Sequence, residues 1–269
     1  MPVACCPVGV AFWPVSFERK IFSMNKVVII TGASRGIGAA TALLASERGF
    51  AVGINYLKNK KAAEDLVKKI QLTGGKAVAV SGDVSIEKDV VSLFDKVEDQ
   101  FGPVNFLVNN AGVLNKQSTF KEMSVERWEK IFAINVTGSF LCAREAARRM
   151  ITNNRGGAVV NLSSNSAKLG APFEYIDYAC TKGAIDVMTI GLGKELAAEN
   201  IRVNAVRPGV INTDIHESGG EPSRPERLKD SIPMKRAGQA AEVAQAILWL
   251  LSDEASYVTG AIIDVTGGR

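Results

Sequence analysis

Histidine is almost missing from this sequence: one residue, His216, among 269. Cysteine is scarce too, with Cys5, Cys6, Cys142 and Cys180 and no C-x-x-C pair among them. Together these shortages exclude the familiar zinc-ligand patterns and a disulfide framework, and they fit reduced thiols in a cytoplasm. No apolar run approaches the roughly 18–20 residues that span a bilayer, so no membrane helix is expected. Charge of one sign is also lacking. The 32 Lys and Arg are interspersed with 28 Asp and Glu for a net charge of +4, which argues against a nucleic-acid face. What is present is 46% hydrophobic residues and enough length for one large core.

The first 23 residues lack any helical or strand period and carry three prolines and two of the cysteines. Their apolar part precedes Glu18-Arg19-Lys20, the reverse of a signal peptide. A loose extension over 1–23 is expected, or an upstream start with Met24 as the working one, followed by a single domain over 24–269.

From Val27 onward two periods alternate. Short β-branched or apolar runs at 27–30, 50–55, 77–80, 106–108, 158–162, 201–206 and 261–265 read as buried strands. Between them, residues 39–45, 60–72, 87–101, 125–151, 177–199 and 240–251 read as helices. Residues 212–239, rich in Pro, Gly and charge, read as an irregular flap. Strict β/α alternation with continuously apolar strands predicts an α/β fold, a doubly wound parallel sheet of about seven strands with helices on both faces. A closed eight-fold barrel fits worse, because the strand count is nearer seven and a glycine turn follows the first strand.

That turn, Thr31-Gly32-Ala33-Ser34-Arg35-Gly36-Ile37-Gly38, breaks a strand directly into a helix. Such a joint presents free backbone N–H groups and a positive dipole end, a site suited to phosphate. Its glycines are spaced G-x-x-x-G-x-G rather than G-x-G-x-x-G, so on its own it reads either as a dinucleotide turn or as a plain strand–helix joint. Polar residues also gather after the other strands: Asn55-Tyr56, Asp83, Asn109-Asn110-Ala111-Gly112, Ser163-Ser164, and Pro208-Gly209 with Thr213. In a doubly wound sheet that edge is the binding crevice.

Tyr178 and Lys182 stand at i and i+4, on one helix face. A phenol near pKa 10 is a poor proton donor or acceptor at neutral pH, and an adjacent ammonium lowers it by stabilising phenolate. Tyr175 has no such partner, since its i+4 residue is Ala179.

The glycine turn, Asn109-Asn110-Ala111-Gly112, Ser164, Tyr178-x-x-x-Lys182 and Pro208-Gly209, in this order, resemble the short-chain dehydrogenase/reductase family over residues 24–269. The resemblance implies that Ser164 bonds the substrate oxygen, Tyr178 exchanges its proton, and Lys182 lowers the phenol pKa and holds the nicotinamide ribose. Asn135 matches the helix asparagine that positions a relay water. Ser164 lies fourteen residues before Tyr178, one more than the family usual, so the loop 165–174 is expected to shape the substrate pocket; Ser163 caps or packs.

The same resemblance implies a nicotinamide dinucleotide held by Gly32, Ser34, Arg35, Gly36, Ile37 and Gly38, by Asp83 and Val84 at the adenine, and by Asn109, Ala111 and Gly112. Pro208, Gly209, Ile211 and Thr213 would hold the carboxamide end, and Tyr178 and Lys182 the ribose. A neutral Asn55 at the end of the second strand, with Arg35 in the turn, favours NADP(H) while leaving NAD(H) possible. The expected reaction interconverts a secondary alcohol and a ketone. Residues 174–178 and 216–222 resemble the glucose-type sugar dehydrogenases, and the overall pattern also resembles 3-oxoacyl-carrier-protein reductases, which need a basic patch such as Arg148, Arg149 and Arg155 would form. A member that binds NADP without catalysis is the alternative of another class. His216 reads as a flap surface residue, no metal is expected, and a homotetramer is implied by relatives' pairing of the two long helices.

Overall fold

The computed structural model describes residues 26–269, so the extension expected over 1–23 lies outside the described residues. The chain alternates β1 (Val27–Ile30), α1 (Gly36–Glu47), β2 (Ala51–Tyr56), α2 (Lys60–Leu72), β3 (Lys76–Ser81), α3 (Glu87–Phe101) and β4 (Phe106–Asn109). After β4 come α4 (Val125–Phe132), α5 (Gly138–Thr152), β5 (Gly157–Leu162), α6 (Ser166–Leu169), α7 (Ile176–Glu195) and β6 (Ile201–Pro208). The last part holds β7 (Ile211–Asn212), α8 (Ile215–Ser218), α9 (Arg224–Leu228), β8 (Gly238–Gln239), α10 (Ala240–Leu251) and β9 (Ile262–Val265).

Seven parallel strands form one sheet in the order β3-β2-β1-β4-β5-β6-β9. The order reverses between β1 and β4, which opens a crevice at their carboxyl ends. All four residues of β1 are fully buried and its side chains alternate between two cores. Val28 and Ile30 pack with Ala42 of α1, Leu66 of α2, and Val243 and Ile247 of α10. Val27 and Ile29 pack with Phe94 and Val97 of α3, Leu141 and Met150 of α5, and Leu192 of α7. A sheet covered on both faces has no amphipathic strands, which is why its strands read as continuous apolar runs.

Three expectations change in detail. The helix expected over 125–151 is interrupted by a π-helical segment, Ala133–Thr137, between α4 and α5. The helix expected over 177–199 ends at Glu195 and continues as a separate 3-10 turn, Ala197–Glu199. The flap is not irregular throughout: it carries α8 and α9 and is closed by the parallel pairing of Ile211 with Gly238 and Asn212 with Gln239.

Candidate active site

The glycine turn is strapped to the loop after β4. Thr31 Oγ1 accepts hydrogen bonds from the Asn110 and Ala111 backbone N–H groups at 3.0 and 2.9 Å. Asn110 Nδ2 donates back to the Thr31 and Gly32 carbonyls at 2.8 and 3.1 Å. Neither Thr31 nor Asn110 was picked out as a site residue from the sequence; adjacency of the two loops is set by the β1–β4 pairing, which no local pattern reveals. A Cβ on Gly38 would lie 2.5 Å from Asn110 Nδ2 and 2.8 Å from Ala33 Cα, so only glycine fits there. Gly36 has φ +58, and a Cβ on it would meet only Thr213 at 3.5 Å or beyond. The turn thus pairs left-handed backbone with open space at the N-terminus of α1, a cradle that fits a dinucleotide pyrophosphate.

Asn55 takes a different place from the one expected. It is buried, its Oδ1 accepts from Gly32 N at 3.2 Å, and its Nδ2 donates to the Gly82 carbonyl at 3.0 Å. Its amide braces the turn from below, and the exposed positions beyond β2 are Leu57, Lys58 and Asn59. Asn109 is likewise internal, donating to the Ser139 carbonyl and to Asn161 Oδ1, both at 3.0 Å. Arg35 is exposed at the N-cap of α1, Ser34 is half-buried, and Asp83 accepts from Ser85 N and Oγ at 2.9 and 2.7 Å beside buried Val84.

A cleft of about 440 Å³ lies above the carboxyl ends of β1, β4, β5 and β6. Among the expected site residues it is lined by Ile37, Gly112, Ser164, Tyr178, Lys182, Pro208, Gly209, Ile211 and Thr213. Asn135, Ala111 and the deeper glycines stand behind this surface. Asn135 is fully buried in the π-helical segment: its Oδ1 accepts from Val113 N at 2.8 Å, and its Nδ2 donates to the Val113 carbonyl and to Thr181 Oγ1 at 3.1 and 3.2 Å. A Cβ on Gly112 would sit 3.4 Å from Asn135 Oδ1 and 3.6 Å from Lys182 Nζ, so helix, loop and lysine converge on that point.

Lys182 Nζ donates to the Leu162 carbonyl at 2.6 Å and lies 5.5 Å from the centre of the Tyr178 ring. Burial pulls the lysine down to about 8, against a weaker opposing pull from Asp186. Burial also pushes Tyr178 up to about 12, and the Ser164 hydroxyl opposes it. Contrary to the lowering expected from the i, i+4 spacing, the phenol stands above its ordinary value, because desolvation by burial exceeds the opposing effect of the Ser164 hydroxyl. Ser163 is also part of the cleft lining but is buried, and its hydroxyl donates to the Lys182 carbonyl at 3.3 Å.

The start of α7 is pinned from outside. Arg127 of α4 grips Asp177 through Nε–Oδ2 at 2.7 Å and Nη2–Oδ1 at 3.3 Å, while Asp177 Oδ1 accepts from Tyr178 N at 2.9 Å. His216 departs from its reading as a surface residue: it is only 8% exposed and lines the cleft. The basic patch proposed from Arg148, Arg149 and Arg155 loses its centre, because Arg149 is paired with Asp95, Glu98 and Glu145. Cys142 and Cys180 are free thiols, and burial pushes Cys142 up to about 12. No metal-binding cluster occurs among the described residues, and no described helix is long and apolar enough to cross a membrane.

A glycine turn feeding a helix N-terminus, with a serine, a tyrosine and a lysine in the crevice above, is the arrangement of a dinucleotide-dependent oxidoreductase. Residues 32–269 match the family model described as enoyl-(acyl carrier protein) reductase. The chain is 52% identical over 245 residues to uncharacterized oxidoreductase YgfF of Escherichia coli (strain K12), covering 90% of this chain and 99% of that protein. It is 41% identical to glucose 1-dehydrogenase 2 of Bacillus subtilis (strain 168), over 91% and 94% of the two chains. A crystal structure of 3-ketoacyl-(acyl-carrier-protein) reductase from Brucella melitensis, complexed with NADH, superposes with a TM-score of 0.84 at 33% identity, covering 91% of this chain and 98% of that one. The chain belongs to the short-chain dehydrogenase/reductase family and is an oxidoreductase acting on CH–OH or C=O groups.

Proposed function

We propose that the protein is an NADP(H)-dependent oxidoreductase that interconverts a secondary alcohol and a ketone. The observation that carries this reading is the convergence of Ser164, Tyr178 and Lys182 on one cleft beside Gly112. The nicotinamide cofactor supplies or accepts the hydride. Ser164 Oγ orients the substrate oxygen, and Tyr178 Oη gives that oxygen its proton or takes it away. Lys182 Nζ, already buried beside the phenol, stabilises the phenolate and holds the ribose, and Asn135 keeps the 112–113 loop against the helix and orders the relay water. Gly32, Ser34, Arg35, Gly36, Ile37 and Gly38 hold the pyrophosphate side, Asp83 and Val84 the adenine, Asn109, Ala111 and Gly112 the middle, and Pro208, Gly209, Ile211 and Thr213 the carboxamide.

Preference for NADP(H) rests on Arg35, exposed at the N-terminus of α1, and on the run Tyr56-Leu57-Lys58-Asn59 at the end of β2, which holds no carboxylate to repel a 2′-phosphate. Asn55 contributes indirectly, by shaping the turn. The sugar-type reading is supported by the likeness to glucose 1-dehydrogenase 2. An acyl-carrier substrate is disfavoured, because Arg149 has no charge to spare for an acidic carrier protein. Exposed Phe140 on α5 and Val187 and Ile190 on α7 suit these helices to a homotetramer in a cytoplasmic enzyme. Steady-state hydride transfer with NADPH and NADH over a panel of ketones, sugars and an acyl thioester tests the proposal. Tyr178→Phe should abolish turnover, and full activity in that variant would refute the proton role.

A further inference from the structure

The cleft is lined by three arginines, Arg224, Arg227 and Arg269, and at first sight offers an anion site. The first two are already neutralised. Arg224 bonds Glu174 at 2.6 and 2.9 Å and Glu221 at 3.1 Å, and Arg227 reaches the same two carboxylates, Glu174 at 3.3 Å and Glu221 at 3.0 Å. Two arginines against two glutamates leave this cluster no net charge of its own.

One polar atom on this wall is not spent. His216 Nε2 lies 2.9 Å from the Ile211 carbonyl, and a carbonyl oxygen can only accept, so Nε2 carries the hydrogen. That bond fixes the tautomer and leaves Nδ1 as a lone-pair acceptor, buried and without a partner among the described residues. Burial and the nearby Arg224 guanidinium hold the imidazole below its usual pKa, against the Ile211 bond and Glu221. It is therefore neutral at physiological pH. A buried acceptor left unpaired is unfavourable, and a cleft that keeps one is matched to a ligand that brings a donor.

We infer that His216 Nδ1 accepts a hydrogen bond from a second hydroxyl on the substrate, so that the cleft selects hydroxylated ketones and polyols over plain carbonyl compounds. This rests on the oxidoreductase reading above and adds to it a substrate class and the residue that reads it. Ser164 and Tyr178 are occupied by the reacting oxygen; His216, on α8 across the same cleft, serves a neighbouring one.

Two measurements test this. His216 is the chain's only histidine, so in untagged protein labelled with ¹⁵N-histidine its two ring nitrogens need no assignment. At pH 7 one should resonate as N–H and the other as an unprotonated nitrogen. The unprotonated signal should shift in the hydrogen-bonding direction on adding a polyol with NADP, and not on adding its deoxy counterpart. A doubly protonated ring, or an unmoved Nδ1 signal in the presence of a polyol that is turned over, overturns the inference. In kinetics, pairs of three- to six-carbon hydroxyketones and their deoxy partners should differ in kcat/KM by roughly ten- to a hundredfold in favour of the hydroxylated member. His216→Gln keeps a donor for the Ile211 carbonyl without an acceptor at the Nδ1 position and should bring that ratio close to one. His216→Asn, whose amide can present an oxygen at the Nδ1 position, should restore part of it. Equal kcat/KM for both members in the unaltered protein overturns the inference alone. No turnover of any pair with NADPH or NADH overturns the oxidoreductase reading of this cleft, and the inference with it.

Discussion

Lys182→Met should make the protein inactive and change its stability by an amount that varies with pH between pH 8 and 10.5 in a defined way. Burial lowers the lysine from 10.5 to about 8. A displacement of that size corresponds to about 3 kcal/mol of folding free energy. Below pH 8 the ammonium is charged in folded and unfolded chains alike, and the folded state bears the whole penalty of burying it. Between pH 8 and 10.5 the unfolded chain still binds the proton while the folded one has released it, so stability rises with pH through that window. In the methionine variant this rise is absent. Methionine also leaves the Leu162 carbonyl without the donor it has at 2.6 Å, which costs about 1–3 kcal/mol but does not vary with pH. Tyr178, pushed up from 10 to about 12, lowers the stability of both proteins as pH rises past 10 and so largely cancels in the difference between them. The diagnostic quantity is therefore the slope, read from urea unfolding of nucleotide-free protein at fixed concentration from pH 7 to 10.5. The stability gap between variant and original should move by about 3 kcal/mol in favour of the original as pH rises. Two parallel pH profiles would refute the claim that a buried ammonium is held at a cost beside the phenol.

Arg127→Leu leaves Asp177, which is 1% exposed, without its ion partner at the start of α7. Breaking a buried pair in this way should cost about 3–5 kcal/mol of stability in urea unfolding and lower kcat more than it raises KM for the cofactor; an unchanged unfolding midpoint would show that the pair is not structural. Arg35→Ser removes an exposed guanidinium from the turn and should reduce kcat/KM for NADPH by roughly tenfold or more with little effect on NADH, as loss of a charge-assisted phosphate contact requires. Equal losses with both cofactors would exclude a contact with the 2′-phosphate.

The parts of this protein legible in its sequence are those governed by neighbours along the chain. Strand β1 is fully buried on both faces, so its apolar run and the glycine turn after it are visible as a local pattern. Tyr178 and Lys182 share a helix face because of the helix period alone. The interruption at Ala133–Thr137 is not legible: a π-helical segment does not disturb the apolar spacing on either side enough to be seen.

The remainder was decided by partners distant in sequence. Asn55 turns inward because Gly32 and Gly82 offer it a donor and an acceptor that the β1–β2–β3 pairing brings together. Arg149 cancels its charge against Asp95 and Glu98 on another helix, and His216 is buried because the flap folds back over the cleft. Sequence alone determined the strand–helix order, the glycine turn after β1 and the shared helix face of Tyr178 and Lys182, because backbone period and glycine stereochemistry act over a few residues. Tertiary structure alone decided which polar groups remain unpaired in the cleft, because hydrogen-bond satisfaction and charge cancellation depend on contacts made across the whole fold.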